Sequence, residues 1–231
     1  RAGSSQAESA QCLREFSCSV ADACNGAAGA ALGWAIQTAE ALLDEAAANG
    51  HRVREPAPFP VRPIVLGGDD VTFVCQGRMG VQLAESYLRA FAADSGFSAC
   101  AGIAITPSHY PFYRAYDLAE ELCKNAKIKA REETAESERS WLDFQVLRSS
   151  AGGKLGQIRG DYTDGERSLL SRPLQVGGSK DTAGAVMELI RELSGWPRSR
   201  LKELQDVCEL GEDSKLRELL SQFEHRGFRL P

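Results

Sequence analysis

PIVLGGDDVTFVC, residues 63–75, sets two glycines, Gly67 and Gly68, and two aspartates, Asp69 and Asp70, between runs of β-type apolar residues. Glycine accepts the positive φ that a tight hairpin needs, so the stretch predicts a strand IVLGG and a strand DVTFVC joined over Gly67 and Gly68. Adjacent carboxylates at such a tip have two explanations. Asp and Gly are ordinary turn residues, and exposed charge guards a hairpin end. Alternatively the pair holds metal: Mg prefers carboxylate oxygens together with waters and substrate phosphates, and glycines let a triphosphate approach the backbone.

Working outward, residues Ser5 to Asn49 are alanine-rich and helix-favouring, and Asn25, Gly26 and Gly29 predict either two helices or one broken one. Leu13, Phe16, Val20 and Cys24 keep a helical spacing and predict one buried face. HRVREPAPFPVRP is proline-rich and marks a connection. After the hairpin, VQLAESYLRAFAADSG predicts an amphipathic helix stopped by Gly96. FSACAGIAIT reads as a buried, nearly all-apolar strand. YPFYRAYDLAEELCKNAKIKAREE predicts a helix starting near Pro111 with Ala115, Leu118, Leu122 and Ala126 at core spacing, and SWLDFQVL predicts a strand. With one strand prefixed, the first six elements read β-α-β-β-α-β, the ferredoxin-like order, with an extra helix and strand after them. Residues 148–178 are glycine-rich and polar and predict a long loop with one extended segment at Leu169 to Val176. Beyond Ser179 the pattern predicts three helices to the end, punctuated by Pro197, Gly211 and Gly227. The expected class is therefore α+β: a ferredoxin-like unit over 1–178 and a C-terminal helical bundle over 179–231.

Composition narrows function. With 43% hydrophobic and 26% charged residues the chain has the balance of a soluble globular protein, and no run reaches the about 18 apolar residues of a membrane span. The formal net charge of −5 does not draw nucleic acid, although a local basic groove or basic partner subunits can. The seven cysteines form no CxxC pair, so neither a disulfide framework nor a zinc ribbon is indicated, and reduced thiols in a cytoplasm are expected. Cys12, Cys18 and Cys24 recur at a spacing that walks around a helix and builds no ligand face. His51, His109 and His225 lack ligand spacing. Trp34, Trp141 and Trp196 are core or interface residues in the ordinary case. RAGSSQAESA has no apolar signal region, and a chain opening on Arg1 leads to the expectation that residues upstream are not part of it.

PIVLGGDDVTFVC, followed about thirty residues later by ACAGIAITPSHYPFYRAYDLAEELCKNAK, closely resembles the palm, cyclase-like domain of the large subunit of type III CRISPR effector complexes. LREFSCSV upstream, WLDFQVL downstream and RPL at 172–174 extend the resemblance over roughly residues 8–176. The broader GGDEF-type diguanylate cyclases usually carry glutamate at one of the positions of Asp69 and Asp70, which argues against cyclic di-GMP. The resemblance implies a nucleotidyl cyclase or polymerase type of palm. In it Asp69 and Asp70 bind a pair of Mg or Mn ions, and ATP is polymerised into cyclic oligoadenylate or a related cyclic nucleotide second messenger in antiviral defence. Gly67 and Gly68 leave room for the nucleotide, Lys124 and Lys127 match the family's alanine-lysine stretch and meet the triphosphate, and Ser108 and His109 sit where a substrate edge lies. Two solvated lysines on an amphipathic helix are the plain alternative. Implied partners are ATP and other effector subunits with guide and target RNA, with no membrane, and a homodimer because palm domains often close rings across two facing sites. Palm sites normally add an acid from a first strand ahead of the first helix, and that strand is expected to be missing at Arg1. The rival reading is a catalytically inactive palm, acting as a scaffold or nucleotide-sensing subunit.

Overall fold

The computed structural model describes residues 2–48, 50, 61–67, 70–133, 139–147, 154–160, 163–164, 167–168, 170–177, 182–211 and 213–228, with backbone alone at 2–8, 20, 163–164, 167–168 and 213. Helix α1 (Ala2–Ala48) leads to strands β1 (Val61–Gly67) and β2 (Asp70–Cys75), helix α2 (Gly80–Ser95), strand β3 (Cys100–Ile105), helix α3 (Phe112–Glu132) and strand β4 (Ser140–Val146). A short helix α4 (Leu155–Gly160), two-residue strands β5 (Thr163–Asp164) and β6 (Arg167–Ser168), and strand β7 (Leu174–Val176) follow. Helices α5 (Thr182–Ser194), α6 (Arg198–Leu210) and α7 (Asp213–His225) complete the chain. The class is mixed α and β, as the sequence predicts.

The hairpin forms. β1 pairs antiparallel with β2 from Val61–Cys75 to Gly67–Asp70, with a register shift between Pro63 and Val65. Proline has no N–H to give a ladder, so a strand keeps it at an irregularity. Gly67 closes β1 as a paired strand residue, so the connection is not over Gly67 and Gly68 as expected; Gly68 and Asp69 lie outside the described residues.

α1 is one continuous helix of 47 residues, neither broken nor divided at Asn25, Gly26 and Gly29. At 1.5 Å per residue it is about 70 Å long, against about 24 Å for α2, the helix it packs on. Among the described residues the covered part faces α2 and the hairpin: Ala27, Ala28 and Ala31 are buried with Phe91, and Leu32 and Ala39 with Leu83 and with Val61 of β1. The expected buried face at Leu13 and Phe16 is wrong, since both are about two-thirds exposed, at 68% and 67%; helical spacing aligns them, but that stretch of helix has overrun its neighbour. The side chain of Val20 lies outside the described residues.

α2 ends where Gly96 takes a left-handed φ of 73° and its N–H caps the carbonyl of Ala92. β3 pairs parallel with β4, and β4 pairs antiparallel with β7. The strands therefore fall into a β1–β2 sheet, a β3–β4–β7 sheet and a β5–β6 ribbon, not one ferredoxin-like sheet, and β2 and β3 are not paired with each other. β3 is correspondingly an edge strand whose residues are all half-buried. That corrects the reading of a buried strand: its apolar composition suits a central position that it does not hold.

Alternation assigns the two faces of β3. Ala101 and Ile103 join Leu88 of α2, Leu142, Leu174 and Val176 in one core cluster, which the start of α5 closes with the buried Ala183. The opposite face takes α3, whose Leu118 and Leu122 are buried with Leu155 of α4. The expected long loop over 148–178 thus contains structured pieces, because Leu155 inserts into that core and Arg159 pairs with a strand aspartate. Thr182 Oγ1 accepts the backbone N–H of Gln175 at 2.8 Å and fastens α5 to β7. Near the C-terminus Trp196, Phe223 and Phe228 stack edge-on or tilted around a hollow of about 50 Å³. That hollow contains none of the candidate site residues.

Candidate functional site

Asp70 is the first residue of β2, exposed, and held opposite Gly67 by the hairpin ladder. Its neighbour Val71 is half-buried against the Ala27–Ala31 stretch of α1, in a cluster that also includes Ala99 just ahead of β3. The starts of β2 and β3 therefore lie at the same end of the molecule.

α3 reaches that end because of Gly102. A Cβ built on Gly102 would lie 2.0 Å from the carbonyl oxygen of Ala119 and 2.4 Å from the amide nitrogen of Cys123. Helix backbone rests directly on strand backbone there, which only a residue without a side chain permits. Cys123 Sγ donates to the carbonyl of Cys100 at 3.4 Å.

The electrostatics around that sulfur locate the charged side chains. Burial pushes the Cys123 thiol up; Lys127 acts against this, Asp70 and Glu120 add to it, and Lys124 lowers it. The Cys100 thiol is likewise raised by burial and by Cys123, while a backbone hydrogen bond from Trp141 and the charges of Lys127 and Arg131 lower it. Asp70, Lys124 and Lys127 thus all bear electrostatically on Cys123. Lys124 lies 4.0 Å from Glu120 one turn back, with 73% of its side chain exposed. Lys127 is exposed and bears on both thiols.

Other candidates are not brought there. Ser108 and His109 are exposed in the turn after β3. A six-residue strand rises about 17 Å from first to last residue, so they sit beyond the end of β3 opposite Cys100 and Cys123. Gly67 borders the site as the last residue of β1, and Gly68 and Asp69 are outside the described residues.

Among the described residues no group of three His, Cys, Asp or Glu side chains could hold a metal. The described donor at the hairpin is the Asp70 carboxylate, the oxygen type that Mg takes together with waters and phosphate oxygens. The residue present fits a hard divalent cation, whereas the sulfur of Cys123 is a soft ligand that such an ion does not prefer.

A second cluster went unnoticed in the sequence. Asp143 on β4 is fully buried and accepts from Arg159 at 2.8 Å on Oδ2 and 2.7 Å on Oδ1, and from the Phe144 N–H at 2.8 Å. Arg159 also donates to the Phe144 carbonyl at 3.2 Å, and Arg172 donates to that same carbonyl while lying over the Phe144 ring. The guanidinium fork satisfies both carboxylate oxygens, so this pair fixes α4 on the strand. Its sequence signal is an aspartate amid alternating apolar residues of SWLDFQV, on a face over which Arg159 of α4 packs.

No protein-family model matches the chain, and no curated protein matches it. No described helix is long and apolar enough to cross a membrane.

Proposed function

We propose that this chain is a palm-type, metal-dependent nucleotidyltransferase that converts ATP into cyclic oligoadenylate or a related cyclic nucleotide, a second messenger in antiviral defence. The observation that carries the reading is that an exposed hairpin carboxylate, Asp70, and the α3 lysines Lys124 and Lys127 all bear electrostatically on one residue of α3, Cys123. A carboxylate and ammonium groups answer the two halves of a metal triphosphate. The resemblance of the GGDD hairpin and the CKNAK helix to type III CRISPR palm domains supplies the choice of ATP, of Mg or Mn, of a cytoplasmic setting and of effector subunits with guide and target RNA as partners.

In this reading Asp69 and Asp70 hold the metal pair, Gly67 and Gly68 leave backbone room for the nucleotide, and Lys127 and Lys124 orient the triphosphate. Divalent metal, when bound, activates the attacking hydroxyl and offsets charge on the departing pyrophosphate. The lysines neutralise phosphate oxygens and so help to hold the triphosphate for attack. Ser108 has no part in this arrangement.

Incubation with ATP and Mg or Mn, with products read by mass spectrometry, tests the proposal. Adenylate rings or chains are expected from the parent chain, alone or with target RNA and partner subunits, and none from Asp69→Ala plus Asp70→Ala. Turnover that survives the double substitution contradicts the site; ATP binding without product in both proteins favours the sensing scaffold.

A further inference from the structure

Seven free thiols are present, and two of them face each other across the contact that positions the site. We propose that Cys100 and Cys123 form a reversible disulfide that clamps α3 onto β3.

Cys100 opens β3 and Cys123 lies in the middle of α3, 23 residues apart in the chain. Side chains alternate along a strand, so Cys100 projects to the same face as position 102. At that position the backbone of α3 is in van der Waals contact with the strand, at Ala119 and at Cys123 itself. Cys123 Sγ already lies 3.4 Å from the carbonyl oxygen of Cys100, an atom that is three bonds from the Cys100 Cβ. A disulfide requires the two sulfurs to meet by rotation about their side-chain bonds across this contact. Both residues are half-buried, which leaves a small oxidant access while excluding a second protein molecule. Cys75 packs beside Gly80 on the other face, where α2 lies, and has no such partner geometry.

The oxidant is hydrogen peroxide. The Cys123 thiolate attacks one peroxide oxygen; the O–O bond breaks, giving a sulfenic acid on Cys123 and hydroxide, which takes the proton that Cys123 released. The Cys100 sulfur then attacks the sulfenic sulfur, the S–S bond forms, and the hydroxyl leaves as water with the Cys100 proton. Two thiols lose two electrons to one peroxide, and two waters are produced. Two-thiol exchange with dithiothreitol reverses it.

The chain carrying Cys12→Ser and Cys18→Ser, which removes the exposed thiols of α1, is treated with hydrogen peroxide, alkylated and mapped by mass spectrometry without reduction. The expected result is a loss of about 2 Da, a cross-linked peptide pair containing Cys100 and Cys123, and recovery of both alkylated peptides after dithiothreitol. The bond closes a loop of moderate length, so Tm is expected to rise by roughly 5–10 °C. Adding Cys75→Ser leaves the cross-link in place, whereas Cys100→Ser or Cys123→Ser removes it. A cooperatively melting protein in which Cys100 and Cys123 both remain alkylatable overturns the proposal. So does oxidation of Cys123 to the sulfinic acid without a cross-link, or a cross-link between other cysteines. The parent map decides the question even if a serine variant fails to fold.

Discussion

Asp143 carries more of the fold's electrostatic risk than any other described side chain. It is a fully buried carboxylate whose charge is answered by Arg159, itself only 12% exposed in its side chain. Removing one partner of a buried pair strands the other, so Asp143→Ala or Arg159→Ala is expected to lower stability by about 3–5 kcal/mol in urea titration. Cys75 gives a pH signature. Burial pushes its thiol from 9.0 up to about 11, and Tyr87 rises to about 12 by burial first and by the nearby Cys24 second. Both groups are neutral when protonated, so above pH 9 the unfolded chain loses protons that the folded chain keeps. Stability is therefore expected to be level below about pH 9 and to fall as pH rises through 11, with Cys75→Ala flattening the first part of that fall. At this scale the sequence was partly legible. The hairpin itself could be read because its two runs of β-type residues are local, although not which residues turn it, whereas an aspartate in SWLDFQV looks outward-facing until the arginine sixteen residues later is brought over it.

Elements were legible wherever a cap or a period of apolar residues is written into the chain. Gly96 stops α2, Pro111 starts α3, and Leu118, Leu122 and Ala126 are buried as spaced while Ala115, nearer the start of the helix, is half-buried. Periodicity says which residues share a face and is silent on whether anything covers it, which is why Leu13 and Phe16 read as core and stand in solvent. The contact between α3 and β3 was equally hidden, since a glycine within an apolar strand does not announce that a helix backbone rests upon it. Gly102→Ala puts a methyl group inside the Ala119 carbonyl and forces α3 outward. Overpacking of this kind is expected to cost about 3 kcal/mol or more in chemical denaturation. Loss of the Cys123 contact with Cys100, visible as faster hydrogen exchange along the middle of α3, is the accompanying signature.

At the scale of the molecule, α2 covers one side of β3, with α1 packed on α2 and β1, while α3 covers the other together with Leu155 of α4. The consequence is that one end of the molecule gathers the hairpin carboxylate and the α3 lysines while the turn with Ser108 is left at the other. Local pattern could not foresee that separation, because Ser108 and Lys127 are nearer to each other in sequence than either is to Asp70. Nor could it foresee that the strands would divide between separate sheets, since composition marked β3 as a central strand. The central claim is that Asp70 and Lys127 serve one metal-nucleotide site. Titration with Mn in the presence of ATP, read by paramagnetic broadening of backbone amide resonances, tests it directly. Broadening centred on Gly67, Asp70, Cys123 and Lys127, sparing Ser108 and abolished by Asp70→Ala, is the result predicted; broadening centred elsewhere, or unchanged by that substitution, contradicts it.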